Sequence, residues 1–153
     1  MTTVRDVMAT DVVTVKSTQP IAEVADVLAA HHISAVPVLD ESGKLVGMLD
    51  DDDLIVSEAN IHVPTVISFL DADFVLPGSL HKFEKEMRKV AGSTAADVMD
   101  TDYATASPAD EIEKVATLMH DQKQTHIPVL DESGKLVGIV ARGDLVRHLA
   151  ATT

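Results

Sequence analysis

Apolar residues recur at helical spacing in two stretches of the chain. Each stretch has apolar side chains at positions i, i+3, i+4 and i+7, the pattern of a helix with one buried face. Ser17 or Thr18 can cap the first helix, with Pro20 in its first turn, and Pro108 opens the second. The two predicted stripes are Ile21, Val24, Ala25, Leu28 and Ala29, and Ile112, Val115, Ala116 and Met119.

Short β-branched runs flank these helices and predict strands. The run 12–15 precedes the first helix, a hairpin over 33–39 and 44–49 follows it, and a second helix begins at 50–53 and reaches about residue 59. The second half of the chain predicts a strand at 103–106, a hairpin over 124–130 and 135–140, and a closing helix over 144–149. The element order is therefore β-α-β-β-α, twice, which indicates an α/β (α+β) fold.

The two halves are copies of one repeat. The ten residues from Val38 to Gly47 reappear unchanged from Val129 to Gly138, at an offset of 91. Asp6-Val7-Met8 likewise reappears as Asp97-Val98-Met99. Identity of this length indicates an internal repeat of about 50 residues, over roughly 4–54 and 95–145.

The repeats divide the chain into three parts: repeat one over 1–60, an insert over 61–92, and repeat two over 93–153. The second half of the insert is predicted to be a helix capped by Ser79, and the insert holds all three phenylalanines. We expect the insert to be a packed linker, or else an interface or a lid.

Composition and charge exclude several classes of partner. The formal net charge of the 153-residue chain is −13, which opposes binding to nucleic acid or to an anionic membrane. The chain has no cysteine, and this fits a reducing compartment such as the cytoplasm. It lacks an apolar run long enough to cross a membrane, and its N-terminus is unlike a signal peptide.

The repeated motif resembles the CBS domain, and the tandem arrangement resembles a Bateman module of the kind found in stand-alone prokaryotic CBS-pair proteins. The resemblance rests on 33–38, Gly43, 45–47 and 53–54, and on the matching positions 126–129, Gly134, 136–138 and 144–145. It implies two repeats packed about a pseudo-twofold axis, with two clefts between them. In this family the clefts often bind AMP, ADP, ATP or S-adenosylmethionine, the pairs commonly form homodimers, and the domain regulates rather than catalyses.

The resemblance also implies the residues of each cleft. The family motif places a Ser or Thr three residues before an Asp, so that the hydroxyl holds phosphate and the Asp binds the ribose. Both Asp residues are present here, as Asp53 and Asp144, but Asp50 and Ala141 stand at the hydroxyl positions. The expected Asp144 cleft comprises Ile139, Ala141, Arg142, Asp144, Val13, Ile33 and Ser34; the expected Asp53 cleft comprises Met48, Asp50, Asp53, Ala104, Gln124, Thr125 and His126.

Charge distinguishes the two clefts. Arg142 lies near the expected phosphate position of the Asp144 cleft, and arginine can bind phosphate in a bidentate manner. The run Asp50 to Asp53 places carboxylates on the anion side of the other cleft. A like-charge contact near 4 Å costs about 4 kcal/mol at an effective dielectric constant of 20. We therefore expect the Asp144 cleft to be the working site, and a ligand with few negative charges to bind better than ATP.

Other interpretations of these residues remain open. The acidic run is also a favourable helix N-terminus, and it could hold a divalent cation. Asp53 and Asp144 could be simple helix caps, and Arg142 could be a solvated surface residue. The histidines lack metal-like spacing, so we expect no zinc site, and no catalytic motif is found. The alternatives to a ligand-binding regulator are an interaction module with empty clefts and a metal- or polyamine-responsive sensor.

Overall fold

A computed structural model of the chain describes residues 1–55 and 93–153. The predicted insert over 61–92, its Ser79-capped helix and the end of the helix expected to reach residue 59 lie outside these residues. The described elements are α1 (Val4–Val7), β1 (Val15–Lys16), α2 (Ile21–His31), β2 (Ala35–Leu39), β3 (Leu45–Asp50), a helical segment at 51–55, α3 (Ala95–Val98), α4 (Ile112–Gln122), β4 (His126–Leu130), β5 (Leu136–Ala141) and α5 (Arg142–Thr152).

The predicted hairpins form the centre of each repeat. In repeat one, β2 pairs with β3 antiparallel, and β1 joins the other edge of β2 in parallel. In repeat two, β4 and β5 pair in the same register, and a single parallel bridge between Ala106 and Val129 takes the place of the first strand. Gly43 and Gly134 have φ values of +86° and +85° in the hairpin turns, a conformation that glycine adopts without strain.

Several predicted boundaries were wrong. The first strand covers only Val15–Lys16 rather than 12–15, and 103–106 forms no strand beyond the Ala106 bridge. The helices begin at Ile21 and Ile112, after the prolines, so that Ser17, Thr18 and Pro108 do not cap or open them. The closing helix is longer than predicted, because it starts at Arg142 and continues to Thr152.

The helical stripes are buried at their large residues only. Ile21, Val24 and Leu28 of α2 lie in the core, as do Val115 and Met119 of α4, whereas Ile112 is half-buried. The small members of the predicted stripes, Ala25, Ala29 and Ala116, are exposed. Each helix therefore meets its sheet along a narrower face than its apolar pattern indicated.

Two short helices were not predicted. Thr3 precedes α1, and its backbone N–H donates to the Asp6 carboxylate at 2.9 Å; Thr94 and Asp97 repeat this contact at 2.8 Å before α3. The spacing of a threonine three residues before an acidic residue is a helix-start signal that the sequence already contained. These helices lie in the segments that lead into each repeat, residues 3–9 and 94–100, which we call the entering segments.

Each entering segment packs on the opposite repeat. Val4 of α1 lies in the core of repeat two, and Ala95 of α3 lies in the core of repeat one. Isolated backbone bridges also join the two repeats, between Ala9 and Ile139 and between Met48 and Asp100. The two cores are consequently completed by residues from the other repeat, and the repeats form one interlocked unit.

Candidate functional site

A pocket of about 170 Å³ lies where the start of the first repeat's closing helix meets the second repeat. We call it the acidic pocket, because five carboxylates line it. Its lining is Ala35, Met48, Leu49, Asp50, Asp52, Asp53, Asp100, Asp102, Tyr103, Gln122, Lys123, Gln124, Thr125 and His126. All residues expected in the Asp53 cleft are thus brought together here, except Ala104, which contacts the pocket through Gln124.

Asp50 and Asp53 cap the helical segment reciprocally. The backbone N–H of Asp53 donates to Asp50 Oδ1 at 2.9 Å, and the backbone N–H of Asp50 donates to Asp53 Oδ2 at 3.1 Å. Asp50 therefore supplies the cap that a serine or threonine would supply at this position. Partial burial, reinforced by the charge of Asp50, raises the pKa of Asp53 to about 6.

A second pocket, of about 460 Å³, lies between the N-termini of the two closing helices, and we call it the central pocket. Its volume falls in the range of small-molecule sites, roughly 300–1,000 Å³, whereas the acidic pocket is smaller. Arg142 is the cation of its lining, which it shares with three carboxylates of the acidic run. The lining residues are Ser34, Asp50, Asp51, Asp52, Thr125, His126, Ala141, Arg142 and Gly143.

His126 lines both pockets and is half-buried. One ring nitrogen, Nδ1, lies 2.9 Å from the hydroxyl of Thr125. Burial lowers the pKa of His126, an effect opposed by the negative charges of Asp144 and Asp50. The ring that lines both pockets is therefore mainly the neutral imidazole at neutral pH.

Asp144 is held by two partners at the start of α5. The backbone N–H of Ala141 donates to Asp144 Oδ2 at 2.8 Å, and Arg147 forms an ion pair with Oδ1. The sequence interpretation missed Arg147, although its position three residues along the helix is a favourable one for pairing with an acidic residue. Asp144 thus has a neutralising cation beside it, whereas Asp53 forms no ion pair within residues 1–55 and 93–153.

The other residues expected in the Asp144 cleft are divided among different environments. Ser34, Ala141 and Arg142 line the central pocket. Val13 and Ile33 are half-buried against the core of repeat one. Ile139 is half-buried, and its backbone pairs in both directions with Ala9, at 2.9 and 3.0 Å.

The sequence interpretation also missed the residues after α3 that line the acidic pocket. Asp100 pairs its backbone with Met48, at 2.7 and 2.9 Å, so the segment after α3 forms one wall of the pocket. Asp102 and Tyr103 follow on the same wall. Their position depends on which repeat the segment packs against, and no local sequence signal specifies that.

Three carboxylates that could together hold a metal ion lie at the start of the helical segment. Asp50, Asp51 and Asp52 can place one carboxylate oxygen each within 4.8 Å of one another. Two of the three are exposed, and the macrodipole of the following helix favours acids at this position without any metal. Within residues 1–55 and 93–153, no helix is long and apolar enough to cross a membrane.

Comparison with known proteins agrees with this architecture. The family model described as the CBS domain matches residues 4–60 and 95–151. The CBS domain-containing protein YhcV of Bacillus subtilis is 31% identical over 145 residues, which cover 95% of this chain and 84% of YhcV.

Two solved structures share the fold over nearly their whole length. The crystal structure of CBSX2, a protein of Arabidopsis thaliana, in complex with AMP has a TM-score of 0.76 at 25% identity and covers 99% of this chain and 98% of that one. The CBS domain pair of protein MJ0100, in complex with 5′-methylthioadenosine and S-adenosyl-L-methionine, has a TM-score of 0.73 at 25% identity, with coverage of 97% and 99%.

Proposed function

Because this chain belongs to the CBS domain family, as two CBS domains in tandem, we propose that it is a regulatory module that binds an adenosine-type ligand between its repeats and has no catalytic activity of its own. The CBSX2 and MJ0100 complexes support this class of ligand, since both hold adenosine compounds. The ligand acts as a signal, and the regulated partner is a separate protein.

The ribose of the ligand binds at Asp144 rather than at Asp53. The observation that carries this assignment is the ion pair between Asp144 and Arg147, together with Arg142 in the adjoining central pocket. Asp53 instead stands among four other carboxylates, with Lys123 as the cation of that lining. A carboxylate that is already charged and held in place can accept hydrogen bonds from both ribose hydroxyls.

The charges of the central pocket select the group attached to the ribose. Asp50, Asp51 and Asp52 outnumber Arg142 there, so a triphosphate meets more repulsion than attraction. A cationic 5′ group, or a single phosphate in place of three, is better accommodated. The preferred ligands are therefore S-adenosylmethionine, whose sulfonium is positive, and then AMP, with ATP the weakest.

A calorimetric titration tests the proposal. The protein is titrated with S-adenosylmethionine, AMP and ATP, each with and without Mg²⁺. Saturable binding of S-adenosylmethionine or AMP, with ATP weaker in the absence of Mg²⁺, supports the proposal. Absence of binding by all three compounds would instead favour an interaction module with empty clefts.

The module acts as a homodimer in the cytoplasm. Val146 and Leu149 of α5 and Ile55 of the helical segment are each more than 60% exposed, which leaves apolar surface on the helices that close both repeats. Twofold association of identical surfaces is the commonest way to cover such a face. A monomeric mass in light scattering at tens of micromolar protein would contradict this assembly.

A further inference from the structure

The side chain of Gln124 bridges two backbone segments at the wall of the acidic pocket. Its Oε1 accepts a hydrogen bond from the backbone N–H of Ala104 at 2.9 Å. Its Nε2 donates to the carbonyl of Ala104 at 3.2 Å and to the carbonyl of His126 at 2.8 Å. The carboxamide therefore fills the gap between the segment at 103–105 and the first residue of β4.

The orientation of this amide is fixed by its partners. The Ala104 N–H can only donate, so the atom that faces it must be the oxygen. The two carbonyls can only accept, so the atom between them must be the nitrogen. A flipped amide would lose all three hydrogen bonds, and Gln124 is thus held in one arrangement.

The groups that Gln124 occupies are those that can recognise adenine. The N–H and C=O of one residue present a donor beside an acceptor, and adenine presents an amino donor beside a ring-nitrogen acceptor. A glutamine carboxamide presents the same pair, with an acceptor oxygen beside a donor nitrogen. Gln124 thus makes, from within the chain, the contacts that an adenine edge would make with Ala104.

The matching position in repeat one cannot do this. Ile33 stands 91 residues before Gln124, and Val13 stands 91 residues before Ala104. The Ile33 side chain has no polar atom, so it leaves the backbone N–H and C=O of Val13 without a side-chain partner of this kind. Ile33 and Val13 are half-buried and offer apolar surface beside that backbone.

We infer that Gln124 is the residue that restricts adenosine binding to one cleft, because its carboxamide occupies the donor and acceptor of the Ala104 backbone, whereas Ile33 has no polar atom with which to occupy those of Val13. This inference rests on the proposed function and adds the determinant of its selectivity. It predicts one ligand per chain, bound in the Asp144 cleft. It also predicts that Gln124→Ile will allow binding in the Asp53 cleft and that Ile33→Gln will weaken binding in the Asp144 cleft.

Adenosine itself is the probe, because a neutral nucleoside separates closure by Gln124 from repulsion by the carboxylates. Calorimetry is carried out on the full chain and on Gln124→Ile, Ile33→Gln and two controls. Gln122→Ile makes the same chemical change in the same pocket lining, and Ile33→Leu alters shape without adding a polar group. Hydrogen exchange of the Ala104 amide reports whether Gln124→Ile frees this backbone, which should then exchange faster.

The expected stoichiometry is one adenosine per chain for the parent protein and for Gln122→Ile, whereas Ile33→Leu serves only as the stability reference for Ile33→Gln. Gln124→Ile should bind two, a gain that misfolding cannot produce. Ile33→Gln should lose about tenfold or more in affinity while its melting temperature stays close to that of Ile33→Leu. Two adenosines in the parent protein, or one in Gln124→Ile with a rapidly exchanging Ala104 amide, would overturn the inference while leaving the proposed function intact. Failure of every variant to bind adenosine would overturn both.

Discussion

Met99 lies directly against Gly47, so that a Cβ built on this glycine would be 3.0 Å from the Met99 Cβ and closer still to its sulfur. The equivalent residues of the two repeats make the same contact in reverse, with Met8 of repeat one against Gly138 of repeat two. Each glycine belongs to the repeated hairpin, and each methionine belongs to the entering segment of the other repeat. The absence of a side chain at these glycines is therefore what allows the two repeats to interlock.

Gly47→Ala should destabilise the fold because the added methyl group overlaps Met99. We expect a loss of about 1–3 kcal/mol in the free energy of unfolding, typical of an overpacked core. Met99→Ala should itself destabilise, but the double variant should be more stable than the sum of the two changes predicts. Denaturant unfolding of the four proteins measures this coupling.

Gly43→Ala is the matched control for that cycle. Gly43 has open space around its Cβ position, so its alanine variant carries only the strain of a positive φ and should show no coupling to Met99. Strictly additive effects of Gly47→Ala and Met99→Ala would contradict the exchanged packing.

The carboxyl group of Asp53 should titrate near pH 6, because partial burial and the charge of Asp50 both favour its protonated form. Asp50→Asn should lower this pKa, since it removes the neighbouring charge and leaves the backbone N–H of residue 50 in place. Side-chain carboxyl chemical shifts, followed by NMR from pH 3 to 8, measure the midpoint. A midpoint near 4 in the parent protein would show that the two carboxylates are not coupled as described.

The same shift makes stability depend on pH. The folded-state pKa of Asp53 lies above its unfolded value of 3.8, so the folded protein binds the proton more tightly. The stabilisation from this group is therefore complete below pH 4 and is lost as the pH rises toward 6. His126 acts in the opposite sense, because its lowered pKa gives stability that is lost as the pH falls below its unfolded value.

Asp53→Asn isolates the contribution of Asp53. The melting temperature of Asp53→Asn minus that of the parent protein should increase as the pH rises from 4 to 6. The contribution of His126 is common to both proteins. Asp6→Asn is a suitable comparison, since hydrogen bonds from Thr3 lower the pKa of that exposed carboxyl. A difference in melting temperature between the parent and Asp53→Asn that stays constant from pH 4 to 6 would contradict the assignment.

The hairpins and the main helices could be predicted from sequence because their signals are local. The duplicated motif fixed the register of the repeat, and the stripes of Val24 and Val115 identified the buried faces. The exchange of the entering segments could not be predicted, because Val4 and Ala95 would satisfy either core equally well by their chemistry. Asp100 and Tyr103 were missed in the pocket for that reason, whereas Arg147 was readable from helical spacing.

Ligand charge should determine affinity. In the absence of Mg²⁺, S-adenosylmethionine should bind more tightly than ATP, because the carboxylates of the central pocket repel the triphosphate. Addition of Mg²⁺ should narrow the difference by neutralising part of the phosphate charge. Competition titrations at low ionic strength compare the two ligands. Tighter binding of ATP without Mg²⁺ would contradict the electrostatic account.

The most direct test of the account is the affinity of adenosine for Asp144→Ala and Asp53→Ala, measured by calorimetry against the parent protein. Asp144→Ala should lose about 1.5–3 kcal/mol of binding free energy, the value of hydrogen bonds to a charged partner, or roughly 10- to 150-fold in affinity. Asp53→Ala should stay close to the parent, because Gln124 already occupies the backbone N–H and C=O of Ala104 beside that pocket. A damaging Asp53→Ala with a silent Asp144→Ala would show that the ligand occupies the other cleft.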